Sequence, residues 1–177
     1  MRSLVLVSFL CLAHITHAQE PDQLGDNISR FSAGIFCAPE VIGENPAPDT
    51  LAGVTNIIAE QPEFVSLSRS VPAVLGLGFG VISSVKAPTE QEVLIIVTHP
   101  PMRSDGLTRQ SYSRIYVPGV ESFTMYQFDY EYELVIGRWT ITATDGERLL
   151  FRAGFDVTAP EFAPELADYC GYRELLS

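Results

Sequence analysis

The sequence predicts an all-β domain, a sandwich or barrel of antiparallel strands, on three observations. Short apolar runs recur at regular spacing; turn pairs such as Asp105-Gly106, Pro118-Gly119 and Asp145-Gly146 separate them; and several runs alternate between apolar and polar residues. A hydrophobic content of 46% with only 19% charged residues excludes disorder for most of the chain, and 177 residues suffice for one domain with its own core.

The first eighteen residues read as a secretory leader. Arg2 precedes an apolar run over residues 4–13, and Thr16-His17-Ala18 places a small residue at the expected cut between Ala18 and Gln19. The run is about half the roughly 20 residues that span a bilayer, so no transmembrane anchor is expected. Lipidation at Cys11 is the alternative, but Leu10 stands where a small residue is wanted. The expected location is therefore periplasmic or secreted. Residues 19–29 are polar and are expected to form a flexible lead, residues 30–157 the β-sandwich domain, and residues 158–177 a tail packed back on it.

Within the domain a strand is expected over residues 30–37, ended by Ala38-Pro39. Pro46 and Pro48 bar residues 42–50 from a helix or a central strand, so a surface loop is expected there. Further strands are expected at 57–60, 64–70, 75–85, 92–99, 109–117, 122–130, 138–144 and 148–157. Trp139, Ile141 and Ala143 alternate with threonines, and beyond Asp145-Gly146 the set Leu149, Phe151, Ala153, Phe155 and Val157 alternates in turn, which marks a hairpin. Residues 92–99 are apolar on both faces, so that strand is expected to be central and covered on both sides. Leu75, Leu77, Phe79 and Val81 alternate with Gly76, Gly78 and Gly80; the bare face is expected to admit a bulky neighbour such as an aromatic ring, or a ligand. It is not a dinucleotide fingerprint, since no third glycine at the required spacing and no helix follow. After Val157 two prolines make an extended strap, and residues 165–172 can form two helical turns.

Loss of the leader leaves Cys37 and Cys170 as the only cysteines, and in an oxidising compartment one intrachain disulfide is the first expectation. Free thiols, an intermolecular bridge or a two-cysteine metal site are the alternatives. Removing Arg2 takes the formal net charge from −11 to −12, which repels nucleic acid and anionic membranes.

Few residues suit catalysis. His99, in Thr98-His99-Pro100-Pro101, could act as a base with the nearby Ser104 and Asp105, but no nucleophile motif accompanies it, and a capping role at the strand end is the competing reading. His99 with Met102 is a meagre soft-metal set. Asp129, Glu131 and Glu133 would share one face if their strand continued, a calcium-like arrangement or a solvated acidic face. Asn27-Ile28-Ser29 matches a glycosylation acceptor. No cofactor is expected. Tyr112, Arg114 and Tyr116 alternate on one side of their strand, with Ile115 and Val117 expected toward the core, so this row is the candidate binding face; Tyr126, Phe128 and Tyr130 form a second row, expected to be mainly core.

The segment Phe128-x-Tyr130-x-x-x-Leu134-x-x-Gly137-x-Trp139-Thr140, with the hairpin that follows and Phe155-Asp156-Val157, resembles the final strands of immunoglobulin-like sandwiches. With Gly34-Ile35-Phe36-Cys37, Leu77-Gly78-Phe79-Gly80 and His99-Pro100-Pro101 it is similar to an uncharacterised family of exported bacterial domains, a domain of unknown function. The resemblance covers residues 30–157 and implies an immunoglobulin-like sandwich, though without the Cys-Trp-Cys arrangement of antibody domains. It implies no activity. The reading reached from the sequence is an exported, monomeric, non-catalytic binding module for a protein or glycan partner in the envelope. A small hydrolase using His99, or an assembly factor acting by strand pairing, are the alternatives.

Overall fold

The computed structural model describes residues 20–170. The expected leader and the expected cut between Ala18 and Gln19 lie outside the described residues, as do the last seven residues of the expected tail. The strands are β1 (Gln23–Leu24), β2 (Ile28–Cys37), β3 (Val41–Pro46), β4 (Val54–Ile58), β5 (Ser70–Pro72), β6 (Leu77–Val85), β7 (Gln91–Met102), β8 (Leu107–Tyr116), β9 (Ser122–Gln127), β10 (Gly137–Asp145) and β11 (Arg148–Thr158). A 3-10 turn spans Glu131–Glu133, and the helix α1 covers Pro164–Tyr169.

Two sheets face each other. One has the order β1-β11-β10-β7-β8, with β5 also on β11; the other is β2-β6-β9; and β3 with β4 form a separate hairpin. The chain is thus an all-β antiparallel sandwich with a short C-terminal strap and helix. The β10–β11 hairpin has Trp139 opposite Phe155, Ile141 opposite Ala153 and Ala143 opposite Phe151, and all six side chains are fully buried. Its turn needs Gly146, whose φ of +60° an L side chain rarely adopts. Between the sheets Phe79 stands at the centre, its ring 4.6 Å from Phe155 and 5.6 Å from Trp139.

The glycine-rich face of β6 is covered by an aromatic ring. Phe36 lies over Gly78 so closely that a Cβ there would come within 2.2 Å of Phe36 Cζ. Phe36 packs in turn on Phe123, with ring centroids 5.1 Å apart. This cover excludes a ligand platform on that face.

One side of the sandwich is closed by residues 64–72. Val65 and Ser66 bond the outer edge of β2 at Ile35, and β5 pairs in parallel with the end of β11. This replaces the single strand expected at 64–70. Ser66 and Ser68 accept backbone N–H groups two residues on, local bonds that compete with a continuous ladder.

Other boundaries also differ. The loop expected at 42–50 begins as β3, because a proline at the end of an exposed edge strand removes no ladder bond, and the strand expected at 57–60 falls at β4. Within residues 19–29 lie β1 and the start of β2, and Gly25 N–H donates to Leu150 O. Strand β7 is central in its sheet, between β10 and β8, but covered on one face only: Val93, Ile95 and Val97 are buried while Leu94 is 37% exposed. It runs on through Pro100 and Pro101 with a shift of register.

Cys37 and Cys170 form an intrachain disulfide, with Cα atoms 5.3 Å apart, which ties the end of β2 to the residue after α1. Among the described residues no helix is long and apolar enough to cross a membrane.

Candidate functional site

The side of the sandwich opposite residues 64–72 is open. There the edges of β8 and β9 lie apart, and the β3–β4 hairpin stands over them, leaving a groove of about 850 Å³. The hairpin is pinned at both ends. Asp49 O accepts from Ser111 N–H at 3.1 Å and Leu51 N–H donates to Gln110 Oε1 at 2.8 Å, while Asn56 Nδ2 donates to Asp129 Oδ2 at 3.2 Å.

The floor of the groove is a directed chain of hydrogen bonds. His99 Nδ1 lies 2.8 Å from Pro100 O, and because a carbonyl can only accept, this nitrogen carries the proton. The other ring nitrogen, Nε2, is then an acceptor and takes a bond from Gln110 Nε2 at 3.2 Å. Gln110 Nε2 donates also to Tyr126 Oη, which donates to Glu133 Oε1 at 2.8 Å. Glu133 Oε2 accepts the backbone N–H groups of Asp129 and Tyr130, at 2.7 and 2.9 Å. Gln110, Tyr126 and Glu133 line the groove, whereas His99 lies behind them, 5% exposed against the ring of Trp139.

Burial sets the protonation of this chain. It lowers the His99 pKa from its ordinary 6.5, against the raising effect of Pro100 O, and so favours the neutral ring that the bonding pattern requires. It raises the Glu133 carboxyl, partly offset by the Tyr130, Tyr126 and Asp129 donors, and with the Glu133 charge it raises Tyr126.

The proposed carboxylate face is not formed. The strand expected at 122–130 ends at Gln127, and the chain turns into the 3-10 segment. Glu133 swings inward to cap that turn, while Asp129 and Glu131 stay exposed. Among the described residues no three His, Cys, Asp or Glu side chains cluster to hold a metal ion. His99 and Met102 make no metal pair either, since both ring nitrogens are bonded and Met102 is fully buried.

The face expected of β8 is inverted. Ile115 is 55% exposed, and Val117 also faces solvent, while Tyr116 is fully buried and Tyr112 half-buried. The physical reason is hydrogen bonding across the gap between the sheets. Tyr116 Oη pairs with Thr124 Oγ1 at 2.6 Å, and Arg114 Nη1 donates to Phe123 O while its guanidinium sits 5.7 Å from the centre of the Tyr116 ring. Tyr112 and Arg114 nevertheless line the groove, and burial pushes the Tyr112 hydroxyl up to about 12, with Arg114 opposing and Tyr116 adding. In the second row Phe128 is core, whereas Tyr130 is exposed. Sequence reasoning missed Gln110 and the inward role of Glu133; the only local signal was a polar residue at the start of a strand.

The matching family is described as a domain of unknown function, DUF3859, and its profile spans residues 24–157. The chain belongs to this family. Among solved structures it is similar to an immunoglobulin-like protein from Pseudomonas aeruginosa, at 22% identity and a TM-score of 0.50, over 80% of this chain and 99% of that one. That likeness concerns the fold, which is immunoglobulin-like here too. No curated protein matches the chain. Residues 30–157, which carry the resemblance in the sequence, fall within the matched range.

Proposed function

We propose that this DUF3859 protein is an exported, monomeric, non-catalytic binding module whose ligand, a protein or glycan of the cell envelope, occupies the groove between β8, β9 and the β3–β4 hairpin. The observation that carries this is the groove itself. It has the volume of a ligand site, and its polar floor is already satisfied by internal partners. A base must have a nitrogen free for the proton it abstracts, and His99 has both committed behind the floor, which disfavours the hydrolase reading. Export is supported by the form of the leader and by the disulfide.

Photo-crosslinking residues at Ser113 and Met125, on the groove, and at Leu94, on the exposed face of β7, test the reading in the native envelope. Adducts from the groove positions alone are expected, on a mature chain whose mass begins at Gln19. Equal yields from Leu94, or a chain retaining the leader, would count against it.

A further inference from the structure

The groove is bordered by main chain that the fold leaves unpaired. Phe128 N–H donates to Leu77 O, and Phe128 O accepts from Gly76 N–H, so Phe128, and with it Tyr126 and Thr124, turn their backbone groups toward β6. Phe123, Met125 and Gln127 therefore point theirs outward. The Arg114 guanidinium already occupies the first of these acceptors, Phe123 O. The opposite wall is β4. There Gly53 O and Ala59 N–H bond the β3 side, which turns the backbone of Asn56 and Ile58 away from β3. Met125, Gln127, Asn56 and Ile58 all line the same groove, and among the described residues no backbone partner meets their outward groups.

The charge of the rim is one-sided. Exposed Asp49, Glu60 and Asp129 line the groove together with Glu121, which is paired with Arg30 at 2.9 Å, and Arg114, engaged with Phe123 O, is the one basic residue of the lining. An anionic sugar or an acidic peptide would be repelled. A neutral glycan would leave the carboxylates unused and could not match a row of alternating N–H and C=O groups. An extended polypeptide can match that row at every second residue, with its side chains alternating between the floor and the rim.

Resting on the binding-module reading, we propose that the ligand is an extended basic peptide segment that adds as a strand to the outer edge of β9, between β9 and β4, and sets lysine or arginine side chains against Asp129 and its neighbours. The hairpin becomes the far wall of a sheet that the ligand completes.

The probe is a random nonapeptide library displayed on phage and selected on the full mature domain. The expected winners carry Lys or Arg at alternate positions. N-methylating either alternate set of amides of a synthetic winner should weaken binding by at least about tenfold, because one set of N–H groups faces β9 and the other faces β4. Met125→Pro should abolish binding at unchanged melting temperature, since the lost N–H points outward and leaves the β6 ladder intact, whereas Leu94→Ala, on the exposed face of β7 away from the groove, should bind normally. The N-methyl series leaves the protein unaltered, so it decides the matter even if Met125→Pro unfolds. Acidic or absent winners, or indifference to N-methylation in both registers, would overturn strand addition. If the groove crosslinks of the previous section still form, or a glycan array binds, the module stands and the peptide ligand falls; silence in all three assays removes both.

Discussion

Gln110 is the residue on which the groove floor turns, and Gln110→Leu isolates its contribution. The substitution nearly keeps volume but deletes three bonds: from Leu51 N–H at 2.8 Å, to His99 Nε2 at 3.2 Å and to Tyr126 Oη at 3.3 Å. Tyr126 keeps its bond to Glu133, so the orphans are the Leu51 N–H and His99 Nε2. A buried group left unpaired costs about 1 to 3 kcal/mol, and the added apolar surface returns part of this, so the expected loss is about 3 kcal/mol. In a domain of this size that lowers the melting temperature by about 6 to 12 °C. Because the Leu51 bond pins the hairpin turn, its amide should also exchange faster with solvent than in wild type, while amides of β10 should change only in step with global stability. Urea unfolding of Gln110→Leu, His99→Phe and the double variant supplies the decisive number. Once His99 Nε2 is gone its orphan cost disappears, so the double variant should be more stable than the two single losses predict, by about 1 to 2 kcal/mol. Additivity within about 0.5 kcal/mol, or a Gln110→Leu loss below about 1 kcal/mol, would refute the directed chain.

The remaining predictions concern pH, the disulfide and the inverted face of β8. His99 has its pKa lowered in the folded state, so the unfolded chain binds the proton more readily, and the stability that His99 contributes is present above its ordinary 6.5 and lost as the pH falls below it. The effect should appear as a urea midpoint that falls as the pH drops below about 6.5; Glu133, raised by burial, works in the opposite sense, so the readout is the difference from His99→Phe, which should flatten the slope, and an unchanged slope in that variant would contradict it. Reduction, or Cys37→Ser with Cys170→Ser, opens a loop spanning 133 positions and should cost up to about 5 kcal/mol on the chain-entropy account, read as a shifted urea midpoint; no shift would mean that the link does not constrain the unfolded chain. Tyr116→Ala should cost about 3 to 5 kcal/mol as a fully buried aromatic, while Ile115→Ala on the exposed side should change stability by about 0.5 kcal/mol or less, and equal thermal shifts in the two would restore the opposite orientation of the strand.

Much of the sandwich was legible because its information is local. The β10–β11 hairpin follows from alternation and an Asp-Gly turn, both confined to about 20 residues; its register is as the pattern requires from Ala143–Phe151 onward, while a bulge beside the turn buries Leu150 in place of the expected Leu149. The disulfide follows from counting, since the chain beyond residue 18 has only two cysteines. The bare face of β6 follows from glycines at every second position, which leave room that a ring such as Phe36 fills. Where the sequence misled, both answers had the same local pattern. The β8 strand offers Tyr112, Arg114 and Tyr116 on one side and Ile115 and Val117 on the other, and hydrophobicity alone puts isoleucine and valine inside. The tertiary structure puts Tyr116 inside with Arg114 beside it because Thr124 Oγ1 and Phe123 O, on the other sheet, receive their respective polar ends, and that pairing exists only once the sheets are packed. Glu133 turns inward for the same kind of reason, to meet Tyr126 and two backbone donors at the end of β9. The groove itself joins Asn56 to Asp129 and Leu51 to Gln110, pairs separated by 73 and 59 positions. The amino-acid sequence by itself determined most of the strands and the sandwich, because these arise from neighbours along the chain; the groove was decided by tertiary structure, because the bonds that set the hairpin over it, Asn56 to Asp129 and Leu51 to Gln110, unite residues that only folding brings together.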